Sequence, residues 1–116
     1  MSPAAHAIRA LSPLERLGWR EAAFRALDLT CRTPALVLFE LMTADGEWVS
    51  ADTLMARCGH RGQAVSGNYL RVGLWHLRGA LADLGFEGAV TCERPGRYRL
   101  DARCIAEIDA LVRGFA

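Results

Sequence analysis

The chain has 116 residues, 52% of them hydrophobic and 23% charged, with a formal net charge of +1; this composition excludes disorder and low-complexity repeats and fits one globular domain. No apolar run approaches the roughly 20 residues that span a bilayer, and residues 1–10 lack the apolar stretch of a signal peptide, so a cytoplasmic protein with no membrane partner is expected. All 14 basic residues are arginines, with five against seven carboxylates in residues 1–53, seven against three in 54–99 and two against three in 100–116, which puts a candidate anion-binding face in the middle of the chain.

Residues 1–11 are read as a flexible N-terminal segment ahead of a single domain over 12–116. Ser12-Pro13-Leu14-Glu15 has the chemistry of a helix start: Ser12 caps a free N–H, Pro13 suits the first helical position, and Glu15 reaches back to complete a capping box. The predicted helix covers 12–27. It turns Leu14, Leu17, Phe24 and Leu27 inward, with Trp19 to one side and Arg16, Arg20, Glu21 and Arg25 facing water. Thr33-Pro34 repeats the device, and 35–42 reads as a mostly buried second helix that Asp45-Gly46 ends. Glu47-Trp48-Val49 are too few for an independent strand but suit a short edge segment.

Ser50 then caps a short helix over 51–57 carrying Leu54 and Met55, with Gly59 in the left-handed conformation to close it. A polar connection over 60–65 hands over to Ser66-Gly67-Asn68 and a long helix ending near Leu84, with Gly85 as its stop. Leu70, Leu74, Leu77, Leu81 and Leu84 make one side of that helix a continuous leucine stripe. Ala89–Cys92 predicts a strand, Arg94-Pro95-Gly96-Arg97 a turn, and Tyr98–Leu100 the returning strand. Asp101 caps a last helix over 102–113 whose Ile105, Ile108, Leu111, Val112 and Phe115 form an apolar side.

Little points to bond-making chemistry. Cys31, Cys58, Cys92 and Cys104 include no CxxC pair, Cys58 and His60 lack the spacing of a zinc site, and no nucleophile, phosphate-loop or metalloprotease motif occurs. The expectation is a non-enzyme with no cofactor and no metal.

The order helix, short strand, short capped helix, long helix and β-hairpin resembles the winged helix-turn-helix DNA-binding domain of the OmpR/PhoB class of transcriptional regulators. The resemblance covers residues 33–100. It rests on Gly46-Glu47-Trp48-Val49-Ser50-Ala51-Asp52-Thr53-Leu54 at the entry to the first helix of the motif, on the Leu70–Leu81 stretch as recognition helix, and on Arg94-Pro95-Gly96-Arg97-Tyr98-Arg99-Leu100 as wing. The resemblance extends to neither the family's N-terminal sheet nor its receiver domain, and helices 12–27 and 102–113 are expected as additions. The implied fold class is mainly α with a small β-hairpin wing. The implied function is sequence-specific binding of double-stranded DNA in transcription regulation, with helix 68–84 in the major groove and residues 94–97 at the minor groove.

With the leucine stripe inward, Asn68, Arg71, Trp75 and Arg78 share the opposite side of that helix, where Asn and Arg can read base edges. His76 lies beside them. Arg94 and Arg97 sit at the wing turn; Arg57, Arg61 and Arg99 suit phosphates, as do Ser66 and the free N–H groups at the start of the long helix. Trp75 either meets an interface or tucks under the wing or against the 60–65 connection, and Tyr98 is either a core residue or a backbone contact. The rival reading is a winged-helix module that binds polymerase or another regulator without touching DNA. Because the terminal helices are apolar beyond their own needs, a homodimer is expected.

Overall fold

The computed structural model describes residues 2–94 and 96–116. Among the described residues there are six α-helices, a short 3₁₀ turn and a small three-stranded antiparallel sheet. Among the described residues no helix is long and apolar enough to cross a membrane.

The N-terminal segment expected to be flexible is instead a helix, α1 (Pro3–Arg9). Ser2 Oγ accepts the Ala5 N–H, Pro3 occupies the first helical position, and Ala5 and Ile8 are fully buried. The Ser2 N–H donates to Asp45 Oδ2 at 2.9 Å, which holds that carboxyl below its usual range and ties the chain start to a distant turn. One isoleucine and one alanine are too short a pattern to announce a helix that packing with α6 and α3 then stabilises.

Helix α2 (Pro13–Ala26) starts with the expected capping box: Ser12 Oγ accepts from Glu15 N–H at 3.2 Å and Ser12 N–H donates to Glu15 Oε1 at 2.9 Å. Its buried face is the expected one only in part: Leu27 is buried and Phe24 packs partly buried against the core. Leu14 and Leu17 are 78% and 51% exposed, whereas Trp19, Ala22, Ala23 and Ala26 are buried. The rotation follows from Trp19, whose ring buries more apolar area than a leucine. Its Nε1 donates to Asp109 Oδ1 at 3.0 Å and its ring meets Phe39 edge-on at 5.7 Å. Arg16 and Arg20, expected in water, lie over Phe39 at 5.6 and 4.8 Å. Asp109 also accepts from Arg113 Nε at 3.1 and 2.9 Å. Asp109→Ala is therefore expected to lower stability in urea by about 1–3 kcal/mol, because the buried indole N–H loses its acceptor. The Trp19→Phe/Asp109→Ala double variant should lose less than the sum of the two single losses; additive losses would mean the hydrogen bond contributes nothing.

Helix α3 (Thr33–Thr43) is buried on nearly every side and packs against α1, α2 and the later elements. Strand β1 (Val49–Ser50) leads directly into α4 (Ala51–Arg57), where Ser50 Oγ accepts the Thr53 N–H. Gly59 does not take the left-handed conformation; Arg61 (φ 53°) and Gly62 (φ 77°) do. Helix α5 (Gly67–Asp83) is capped by Ser66 and rests its leucine face on α3. Leu70, Leu74, Leu77 and Leu81 are buried as expected, while Leu84 emerges at the helix end. Gly73 allows the close approach, since a Cβ there would lie 2.9 Å from Thr33 Cγ2.

Strands β2 (Val90–Glu93) and β3 (Arg97–Leu100) form the expected hairpin, and β1 pairs with β3, giving the order β1-β3-β2. Pro95, part of the expected turn, lies outside the described residues. The register pairs Cys92 with Tyr98, Glu93 with Arg97 and Val49 with Tyr98. Asp101 caps a short 3₁₀ turn (Ala102–Cys104) that runs into α6 (Ile105–Arg113). Ile105, Ile108 and Val112 are fully buried, and their cover is α1 and α2 of the same chain. The apolar side of α6 is thus covered within the chain, while Leu14, Leu17 and Phe115 stay exposed.

Candidate nucleic-acid interface

The outward side of α5 follows from its inward one. A helix that buries positions 70, 74, 77 and 81 must turn 68, 71, 75 and 78 away from the core, and all four of those residues are exposed. The Arg71 guanidinium donates to Asn68 Oδ1 at 3.2 Å, one turn back. Between Ser66 and Ala82 the helix carries two arginines and no carboxylate. Trp75 is 72% exposed. So exposed, it is not tucked under the hairpin or against the 60–65 connection; its ring meets that of the neighbouring His76 edge-on, at 5.1 Å.

Tyr98 sits on the inner face of the sheet opposite Cys92, half-buried. Burial raises its phenol above the usual value and the nearby Cys92 adds to this, while Arg71 and Arg78 pull it down. The arginine edge of α5 therefore lies beside the hairpin. Alternation along β3 sends Arg97 and Arg99 to the opposite face of the sheet from Tyr98. Both guanidiniums stack on Trp48, at 5.0 and 4.5 Å, and Arg97 is paired with Glu93. Arg94, at the exposed hairpin turn, pairs with no carboxylate among the described residues.

The eleven expected site residues thus separate. Asn68, Arg71, Trp75, His76 and Arg78 share α5. Ser66 stands at its start, where Oγ accepts the Tyr69 N–H at 3.1 Å and the hydroxyl proton stays available. Arg61 is exposed in the turn before it, and Arg94 at the hairpin turn. Arg97 and Arg99 form a separate aromatic-backed patch on the outer sheet face, and Arg57 is bound by Glu40 at 3.3 Å.

Sequence reasoning missed Tyr69 and Val72, both exposed on α5, and it missed Trp48 as the platform for two arginines. The α5 pair was legible, since neither residue falls on the leucine stripe. Cys58, by contrast, is buried, and burial followed by the Glu40 charge pushes its thiol up to about 12, so thiolate chemistry there is suppressed at neutral pH. No protein-family model, curated protein or solved structure matches the chain.

Proposed function

We propose that the chain is a winged helix-turn-helix regulator that binds double-stranded DNA sequence-specifically, with α5 in the major groove and the hairpin turn at the adjacent minor groove. The observation that carries this reading is the outward face of α5: two arginines, an asparagine and an uncovered indole with no carboxylate from 66 to 82, set beside a hairpin that ends in Arg94. A helix fits the major groove, and Arg and Asn side chains offer the paired donors and acceptors that read guanine and adenine edges. The element order α3-α4-α5 followed by a hairpin joined to β1 supports the same docking geometry. A second reading, a protein-binding module, draws on exposed Tyr69, Val72 and Trp75, which are more apolar than a phosphate-facing helix requires.

Arg78→Ala and Arg94→Ala are each expected to weaken duplex binding by roughly 1–3 kcal/mol without changing the melt, since both side chains are exposed. Binding should also fall steeply with salt, as released counterions require. Fragments selected from random duplex by the parent provide the ligand. If both variants bind those fragments as well as the parent at physiological salt, the docking is wrong; salt-insensitive capture of a protein would favour the second reading. A parent that sediments at 12.7 kDa on a single half-site would leave the regulator monomeric.

A further inference from the structure

The C-terminal half of α5 borders a surface of the opposite charge. An open groove of about 800 Å³ runs between the loop joining α2 to α3 and the loop joining α5 to β2. Its lining includes buried Leu29 and Leu81, half-buried Phe86 and exposed Trp75. Asp28, Asp83 and Glu87 line the same groove, all three exposed. None of them takes part in an ion pair among the described residues. Arg78 is the sole arginine in the lining.

We infer that this groove docks a basic amphipathic helix from a partner protein. Its apolar lining offers burial to side chains recurring at helical spacing. The three carboxylates have no internal cation to answer and so are free for lysine or arginine on the incoming helix. From Trp75 to Asp83 the groove wall runs about 12 Å at the rise of an α-helix, room for about two turns of a partner. The carboxylate end of the groove repels phosphate, but Trp75 and Arg78 belong to both surfaces, so a duplex and the partner helix meet at that shared edge. The inference stands independently of the DNA reading, because its ligand and its charge are different.

The test is fluorescence anisotropy on the full chain without DNA. The probe is a labelled peptide with leucines at helical spacing and lysines elsewhere, accompanied by a scrambled peptide of the same composition and by a version with glutamate for lysine. The lysine peptide should bind at least about tenfold more tightly than either control. The Asp83→Lys/Glu87→Lys double variant should lose about tenfold or more of that affinity, since two attractive rim charges become repulsive. Its melt and its affinity for random duplex should not fall. Equal binding of the scrambled peptide, or unchanged binding by the double variant, overturns the inference. So does a parent that self-associates in sedimentation and becomes monomeric in the double variant, because the occupant would then be a second copy.

Discussion

Leu77→Asp is expected to abolish cooperative folding. Leu77 is fully buried at the middle of the α5 leucine face, flanked by Leu70, Leu74 and Leu81, and that face rests on α3. Losing a buried leucine costs about 2–5 kcal/mol through transfer and cavity terms, and an unpaired carboxylate there adds several more. Domains of this kind have only about 5–15 kcal/mol in total. The variant should show no thermal transition, whereas Leu77→Met, which keeps the volume, should lose less than about 1.5 kcal/mol. A cooperative melt of Leu77→Asp at the parental temperature would remove α5 from the core and with it the orientation of every residue on the proposed interface.

The second large effect lies in the turn that sets where α5 begins. The His60 N–H donates to the Gln63 carbonyl at 3.0 Å and the Gln63 N–H returns to the His60 carbonyl at 3.1 Å. This folds the Gln63 carbonyl over Gly59: a Cβ there would lie 1.9 Å from that oxygen and 2.8 Å from its carbon. Gly59→Ala must therefore open the turn, giving up both hydrogen bonds at a cost of roughly 2–4 kcal/mol. Gly62 is the control. It takes a left-handed φ of 77° but has open space around it, so Gly62→Ala should cost only about 1 kcal/mol of backbone strain. Urea midpoints rank the two. If Gly62→Ala proves the more damaging, conformation and not crowding governs this turn. Because Val65 N–H also donates to the Met55 carbonyl at 3.1 Å, opening the turn loosens the joint between α4 and α5. Gly59→Ala should accordingly weaken duplex binding even where the fold persists.

Local chemistry was legible at most helix termini, with three exceptions: the Ser2 cap went unread, Thr33 does not cap α3, where Arg32 takes that position with no side-chain hydrogen bond, and Gly59 is not left-handed. Ser12 with Glu15, Ser50, Ser66 and Asp101 all cap where the residue types demand it. The leucine spacing on α5 determined both its buried face and, by exclusion, the outward set Asn68, Arg71, Trp75 and Arg78. A cap or a helical stripe depends on neighbours three or four residues away, so its energetics are written in the chain order.

What only the tertiary structure decided involves residues far apart in sequence. The face of α2 was settled by Trp19 reaching Asp109, 90 residues later, and α1 exists as a helix because α3 and α6 give Ile8 somewhere to go. The packing of half-buried Arg16 and Arg20 over Phe39 and the stacking of Arg97 and Arg99 on Trp48 likewise need a partner that the local pattern cannot contain. A side chain on a short amphipathic segment has several faces of similar hydrophobicity. The choice among them is made by whichever distant surface buries the largest area while satisfying its polar atoms. In this chain an indole with a waiting carboxylate therefore prevailed over two leucines with none.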